Sequence, residues 1–176
     1  MFGADSTLIT LGNPWFEAGI DAERGGRISS LVFHDDSGQW VQPGEVSGLL
    51  LDHVTQQDWP GELLSRTYEV RMEEETDDAS AVRLWTTIDG KGDEDISGVR
   101  LEKVIKVYKQ TPLIEVLYSL ENPTTKTKRP GLWVQNVICP AGRNEGKTTY
   151  RPTSRGVLRS EYSLDMPMDN AIDFRF

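Results

Sequence analysis

Short runs of alternating apolar and polar residues recur along the chain, and turn-forming residues separate them. In the segment WFEAGID, Phe16, Ala18 and Ile20 would share one face of an extended strand. The run RISSLVF is followed by Asp35–Gly38, whose composition strongly favours a turn. The segments SRTYEVRM and SAVRLWTTI have the same period of two. The pattern predicts short β-strands and contains no convincing long helix.

One segment, VRLEKVIKVYKQ, fits two periodicities. Its apolar residues have helical spacing, but it also reads as a strand whose apolar face is interrupted by Lys103. Its β-branched residues favour the strand. Thr111–Pro112 then marks a turn, and Asn122–Pro123 ends the next apolar run, which is too short for an independent helix. Residues 99–120 are therefore predicted to form a long β-hairpin.

The spacing of these strands predicts an all-β fold, an antiparallel β-sandwich. With 176 residues and no low-complexity linker, the chain is expected to be a single β-sandwich domain over residues 1–176. Its last residues, IDFRF, alternate again without a stop signal, so the chain is either complete or the amino-terminal part of a longer, truncated sandwich. An exposed edge strand at 172–176 would invite pairing with a neighbouring domain or a second copy in a homo-oligomer.

Composition narrows the range of partners. The formal net charge is −9, which argues against binding to nucleic acid or to an anionic membrane. The one cysteine, Cys139, excludes an internal disulfide and a cysteine-based zinc site. His34 and His53 lack a recognised metal-ligand spacing, so neither a metal nor a cofactor is expected. No signal peptide or membrane-spanning run is visible, and the compartment is either the cytoplasm or, after removal of a signal, the exterior.

The sequence Gly25-Gly26-Arg27 stands directly before a predicted strand. A phosphate-binding loop would need a helix after the glycines, and a strand follows instead. The glycines are expected to form a turn that requires positive φ. Two interpretations of Arg27 stay open: it is solvated at the turn, or it lies near a ligand site.

The stretch LLLDHVTQQDWPGEL combines polar side chains with a tryptophan and is interpreted as loop-like. Sugar sites use this mixture, because a pyranose has hydroxyls at its rim and apolar C–H faces that stack on aromatic rings. A solvated loop anchored by Trp59 is an equally good interpretation. His53 is a weak candidate for an acid catalyst. The polar residues concerned are Asp52, His53, Gln56, Gln57 and Asp58.

A second polar cluster lies in the segment GLWVQNVICPAG. On a strand, Trp133 and Gln135 share one face, whereas Val134 and Asn136 share the other. One of the two amides is therefore expected to point toward the core. A buried amide without a partner costs about 1 to 3 kcal/mol, so either the backbone or a ligand must satisfy it.

Three segments together resemble the galactose-mutarotase-like β-sandwich, also called the supersandwich. They are GNPWFEAGIDAERGGRISSLVF, VRLEKVIKVYKQTPLIEVLYSLENPT and GLWVQNVICPAG, within residues 7–142. The Gly-Gly-Arg turn, Asn122 and Trp133 match the family's pattern. The resemblance implies that fold and sugar binding in a broad cleft on the concave sheet. Epimerases of the family use a histidine as acid and a late glutamate as base, but here no histidine follows His53 and Glu161 is the only glutamate after Glu145.

The chain is thus identified as a partial or degenerate member of that family, and three functions are weighed. The first is a carbohydrate-binding domain for a mono- or oligosaccharide, accessory to a carbohydrate-active enzyme. The second is an aldose epimerase, mutarotase-like or other glycan-processing enzyme with His53 as acid. The third is a non-catalytic structural or interaction module. The residues expected to bind the sugar are Arg27, Asp58, Trp59, Trp133, Gln135 and Asn136.

Overall fold

The computed structural model describes residues 8–34, 38–41, 44 and 46–138, and the backbone alone of 147–153 and 156–162. The predicted roles of Cys139 and of the 172–176 edge strand lie outside the described residues. Two short 3-10 helices, Leu63–Ser65 and Gly90–Gly92, interrupt an otherwise extended chain. The strands are β1 (Ile9–Gly12), β2 (Phe16–Asp21), β3 (Arg27–Phe33), β4 (Gly48–Val54), β5 (Glu69–Met72), β6 (Ala79–Thr87), β7 (Arg100–Tyr108), β8 (Ile114–Glu121), β9 (Leu132–Val137), β10 (Lys147–Thr153) and β11 (Gly156–Tyr162).

The strands form antiparallel sheets, which confirms the prediction of an all-β fold. One sheet has five strands in the order β1-β2-β3-β4-β9, and a second has four in the order β5-β6-β7-β8. The strands β10 and β11 pair with each other as a hairpin. A single buried cluster draws apolar residues from β1 to β4 and from β6 and β7, so the core lies between the two larger sheets. Within the described residues, no helix is long and apolar enough to cross a membrane.

The hairpin predicted over residues 99–120 is confirmed as β7 and β8. Arg100 pairs with Glu121 and Val107 with Ile114, and the connection runs through Thr111–Pro112. The β-branched residues on β7 decide between the two periodicities, because they pack well on a pleated sheet. The strand β8 ends one residue before Asn122, where the following proline removes a backbone donor.

The glycine turn before β3 is confirmed as a turn with positive φ. The φ angles of Gly25 and Gly26 are 76° and 56°. A Cβ on Gly25 would collide with the carbonyl oxygen of Leu63 at 2.9 Å, and a Cβ on Gly26 would lie tightly against Cε of Lys103 at 3.1 Å. Because they lack a side chain, the two glycines allow the turn to pack closely against the first 3-10 helix and against β7.

Two sequence interpretations are wrong. The segment containing Asp52 and His53 is not a loop, because β4 extends to Val54 and both polar residues are buried in it. Arg27 is not solvated: it is also buried, and its Nη1 donates to the carbonyl oxygen of Ser47 at 3.3 Å. In each case the polar group is accommodated inside the fold by contacts with residues distant along the chain.

Candidate functional site

The pairing of β4 with β9 places two of the predicted site residues opposite each other. His53 is the cross-strand partner of Trp133, and Asp52 is the partner of Val134. Asp52 points between the sheets, where it contacts Lys103 of β7. Since successive side chains on a strand alternate between faces, His53 and Trp133 lie on the face turned away from the second sheet.

Trp59 joins this pair from the loop that follows β4. The ring centroids of His53 and Trp59 are 5.4 Å apart, those of His53 and Trp133 are 6.0 Å apart, and both contacts are edge-on. The two indoles lie 5.8 Å apart at an interplanar angle of 47°. His53 is only 4% exposed, whereas Trp59 and Trp133 are 39% and 52% exposed. We call these three residues the aromatic cluster: two exposed indoles held against a buried imidazole.

The loop that carries Trp59 is fixed by a buried carboxylate. Glu62 accepts hydrogen bonds from Nε2 of Gln57 at 2.7 Å and from the backbone N–H groups of Asp89 and Gly90 at 3.1 Å and 2.9 Å. Arg66 lies 3.5 Å from the same carboxylate. Charge-assisted hydrogen bonds of this kind are about twice as strong as neutral ones. Glu62 thus ties the Trp59 loop to the connection between β6 and β7.

A second tie joins the Trp59 loop to the segment that leads into Trp133. Gln56 donates through Nε2 to the carbonyl oxygen of Arg129, and its Oε1 accepts from the backbone N–H of Gly131 at 3.1 Å. The backbone N–H of Thr55 also donates to the carbonyl oxygen of Gly131 at 2.9 Å. The two segments bearing the exposed indoles are therefore fixed to each other without a ligand.

A pocket of about 420 Å³ opens beside the aromatic cluster. We call it the arginine pocket. Pro60 and Gly61, which follow Trp59 directly, form part of its wall. Gly61 also covers His53, because a Cβ at this position would lie 2.8 Å from the imidazole Nδ1. The pocket and the aromatic cluster thus share one piece of backbone. The pocket is lined by Arg24, Arg27, Pro60, Gly61, Leu64 and Ser65.

Two guanidinium groups give the arginine pocket its charge. Arg24 is half-exposed and contacts the buried Asp21 through Nε at 2.7 Å. Asp21 also accepts from the backbone N–H groups of Glu23 and Arg24 at 3.1 Å and 3.2 Å. Arg27 comes from the start of β3 and is buried at the edge of the pocket. The lining, all of which is described, contains no carboxylate.

The other three residues predicted to bind the sugar, Gln135, Asp58 and Asn136, lie in three different environments. Gln135 lies two residues from Trp133 on the same strand and therefore on the same face. Asp58 is exposed in the loop before Trp59. Asn136 lies at the irregularity in β4, where its Oδ1 accepts from the backbone N–H of Leu50 at 2.9 Å. Asn136 is exposed and so is not a buried amide, and the backbone satisfies its carbonyl oxygen.

A buried polar network lies directly behind the aromatic cluster. Lys103 donates to Oδ2 of Asp52 at 2.6 Å and to the carbonyl oxygens of Gly25 and Leu50 at 3.0 Å and 3.4 Å. Asp52 also accepts from two tyrosine hydroxyls, Tyr68 at 3.0 Å and Tyr118 at 2.7 Å. Every ammonium proton of the lysine thus has an acceptor, and the network joins both sheets to the glycine turn. The polar groups of this network bind one another and the backbone, and they do not line a ligand-binding cavity.

The environment of this network shifts the pKa of its members. Burial raises the pKa of Tyr68 well above its usual range, and the charge of Asp52 and its hydrogen bond raise it further. The same causes in the same order raise the pKa of Tyr118. Burial lowers the pKa of Lys103, against the opposing effect of Asp52. Both tyrosines therefore stay protonated as hydrogen-bond donors.

Several residues that build the site were not identified from the sequence. Arg24 and Gly61 carried no separate signal, although the spacing of Asp21 and Arg24 is compatible with a local ion pair. Gln56 and Gln57 belong to the polar mixture noted around Trp59, but they hold the loops that position the indoles rather than facing a ligand. In the sequence, Lys103 only interrupts the apolar face of a strand. Its role becomes clear from its ion pair with Asp52, which is distant along the chain.

Comparisons with protein-family models, with curated proteins and with solved structures found no significant match to this chain. In the described part of the chain, no group of three or more histidine, cysteine, aspartate or glutamate side chains is arranged to hold a metal ion. The fold and the site define an all-β protein with antiparallel sheets, which presents two exposed indoles next to a pocket lined by two arginines.

Proposed function

We propose that this protein is a carbohydrate-binding β-sandwich of the galactose-mutarotase-like class, which binds a mono- or oligosaccharide without catalysing its conversion. The observation that carries the proposal is the aromatic cluster. Trp59 and Trp133 come from distant parts of the chain, remain exposed, and are held 5.8 Å apart by the fold. A contiguous exposed apolar patch, unlike a single exposed apolar residue, often marks a binding site.

A sugar suits this surface better than other ligands of aromatic sites. The apolar C–H face of a pyranose can stack on an indole, while amide and hydroxyl groups nearby bind its rim. Gln135 lies on the same face as Trp133 and supplies such an amide. A quaternary ammonium group would also stack on tryptophan, but it has no hydroxyl groups for this amide to bind.

The arrangement of His53 gives the enzymatic alternative no support. Its Nδ1 is enclosed and has no hydrogen-bond partner among the described residues. A general acid must be able to reach the group to which it gives its proton. His53 instead lies under Gly61 and between the edges of two indoles, where it supports their packing.

Calorimetric titration of the full chain with a panel of neutral mono- and oligosaccharides tests the proposal. Trp59→Ala and Trp133→Ala should each weaken binding about tenfold, since truncating an aromatic anchor typically costs more than 1 kcal/mol. Trp15→Ala is the matched control, because Trp15 is 40% exposed and belongs to the connection between β1 and β2. Failure of the wild-type protein to bind any sugar at millimolar concentration would contradict the proposal, as would equal weakening by Trp15→Ala.

A further inference from the structure

The strand β8 forms an exposed edge of the four-stranded sheet. Among the described residues it pairs only with β7, so the backbone groups along its other side face no strand. Leu117 and Leu120 in this strand are 49% and 40% exposed, and Leu113 directly before it is 50% exposed. One exposed leucine is ordinary, but several on an unpaired strand favour association with another strand.

The strand β8 lacks the features that usually keep an edge strand from pairing. Such strands are often short or bulged, or they carry a lysine, a proline or an inward-pointing charge. β8 has eight residues, IEVLYSLE, without lysine or proline, and its register with β7 shows no shift. The opposite edge strand, β5, has only four residues and exposes Glu69 and Arg71. The residues of β8 that face the second sheet are all uncharged: Ile114, Val116, Tyr118 and Leu120.

The sequence of β8 is complementary to itself when two copies run antiparallel about a two-fold axis. Residues that face each other across an antiparallel pair point to the same side of the sheet, so inward residues must face inward residues. With Leu117 of each copy at the axis, Ile114 faces Leu120 of the second copy, and Val116 faces Tyr118. Every inward position of one strand then meets an apolar or aromatic side chain of the other.

Charge favours this register over its neighbours. Moving the axis to Tyr118 would place Glu115 opposite Glu121 of the second copy, and like charges in that position destabilise a sheet. Moving the axis the other way would shorten the overlap of the two strands. With the axis at Leu117, Glu115 faces Ser119 instead, and no two carboxylates of the paired strands are opposite each other.

We propose that this protein forms a two-fold symmetric dimer, in which the β8 strands of two copies pair antiparallel and join their sheets into one continuous sheet. Pairing gives hydrogen-bond partners to the free backbone groups of both edges and covers Leu117 and Leu120 of both copies. A second copy is the partner because a two-fold interface requires a surface that is complementary to itself, as β8 is. This inference does not depend on the proposed sugar binding.

Analytical ultracentrifugation of the full chain over a range of concentrations tests the proposal. The wild type should sediment with twice the mass of one chain and dissociate on dilution. Leu117→Lys and Leu117→Glu should each be monomeric, because each places two like charges opposite each other at the axis. An equimolar mixture of the two variants should recover the dimer, since opposite charges then face each other. Recovery would also show that both variants are folded.

Met72→Lys is the matched control, because Met72 is 53% exposed on β5, the other edge strand of the same sheet. It should leave the dimer intact. Hydrogen exchange supplies a second measurement: the backbone amides of β8 should exchange more slowly in the wild-type dimer than in the Leu117→Lys monomer.

Each other outcome overturns the inference. A wild type that stays monomeric at every concentration excludes the dimer, and slow exchange of β8 in that monomer would assign the edge to another part of the same chain. A dimer that Leu117→Lys leaves intact, or that Met72→Lys disrupts, does not form through β8. A mixture of the two Leu117 variants that stays monomeric excludes a two-fold axis at this residue. The proposed sugar binding is unaffected by any of these results.

Discussion

Lys103 and Asp52 form an ion pair that is completely enclosed, since both side chains are 0% exposed. Removing a charge from water costs several kcal/mol per ion, and a buried pair is tolerated only where further hydrogen bonds satisfy both partners. Here the ammonium group has three oxygen acceptors, and the carboxylate accepts from the lysine and from two tyrosines. The pair therefore links the two sheets, and each charged group is stable inside the protein only because the other is present.

Removing one partner of this pair should be much more damaging than removing both. We expect Lys103→Met to lower the free energy of unfolding by about 3 to 5 kcal/mol, because Asp52 would remain as an uncompensated buried charge. The double variant Asp52→Asn/Lys103→Met should be considerably more stable than the sum of the two single effects predicts. Denaturant unfolding of the four proteins measures this coupling.

Lys126→Met provides the control for that prediction. Lys126 also pairs with a carboxylate, that of Glu94, but both side chains are exposed to solvent. An exposed pair is screened by water, so its loss should leave the unfolding midpoint almost unchanged. Equal destabilisation by the two lysine substitutions would show that burial is not what makes the Lys103 contact important.

At the scale of the elements, Gln56 has the clearest effect on the candidate site. It joins the loop after β4 to the segment before β9 by hydrogen bonds to backbone groups of Arg129 and Gly131. Trp59 lies in that loop, and Trp133 lies in β9 directly after that segment. A site that is held in its binding geometry before the ligand arrives loses less conformational entropy on binding. The geometry of the indole pair should therefore depend on this one amide.

Gln56→Ala should loosen the indole pair while costing only about 1 to 2 kcal/mol of stability, as expected for the loss of two hydrogen bonds. ¹⁹F NMR of protein labelled with 5-fluorotryptophan should show shifted or broadened signals for Trp59 and Trp133 in this variant. Gln39→Ala is the control, because Gln39 also joins two backbone groups, the N–H of Leu31 in β3 and the N–H of Val41. Unchanged Trp59 and Trp133 signals in Gln56→Ala would refute the role of this tie.

The elements themselves were largely predictable from sequence, because strand alternation and turn residues act locally. The hairpin over 99–120 and the glycine turn at Gly25 needed nothing beyond periodicity and turn chemistry. The strand β4 was mistaken for a loop because Asp52 and His53 are polar. Their burial depends on Lys103 and on two indoles, and no local pattern contains these partners.

The sequence allowed us to predict which types of residue form the candidate site, but not how those residues are arranged in space. Trp59, Trp133 and Arg27 were singled out by their chemistry, and the pairing of β4 with β9 is what brings the two tryptophans together. Pro60 and Gly61 line the pocket because of the path that the loop after β4 takes. Hydrogen bonds to residues distant in sequence, such as that between Glu62 and Gly90, fix this path, and sequence spacing does not reveal them.

On the scale of the whole molecule, two tyrosine hydroxyls lie in the space between the sheets. Tyr68 directly precedes β5 and Tyr118 lies in β8, and each donates a hydrogen bond to Asp52. Ionising either tyrosine would place a second negative charge beside a buried carboxylate. The protonation of these hydroxyls is therefore a condition for the two sheets to pack as they do.

Alkaline pH is expected to destabilise the protein through these two tyrosines. In the unfolded chain each titrates near its usual pKa of about 10, whereas in the fold each stays protonated because its pKa is raised. Above that pH the folded state holds more protons than the unfolded state, so the free energy of unfolding falls as pH rises. Each tyrosine contributes a slope of about 1.4 kcal/mol per pH unit.

Denaturant unfolding from about pH 9 to about pH 11.5 measures this effect in the wild type and in Tyr68→Phe/Tyr118→Phe. The variant should start less stable, because Asp52 loses two donors, but its stability should fall less steeply with pH. Lys103 is present in both proteins, so its lowered pKa cancels from the comparison. Parallel pH profiles would mean that the two hydroxyls ionise as easily in the fold as in the unfolded chain.

The two indoles of the aromatic cluster also form a pair of coupled optical transitions. Their centroids are 5.8 Å apart and their planes are inclined by 47°, so neither distance nor symmetry prevents their excited states from mixing. Two such chromophores give circular-dichroism bands of opposite sign, whose size depends on the angle between them. The protein thus carries an intrinsic spectroscopic reporter at its candidate site, which would register any ligand that reorients the rings without the need for a label.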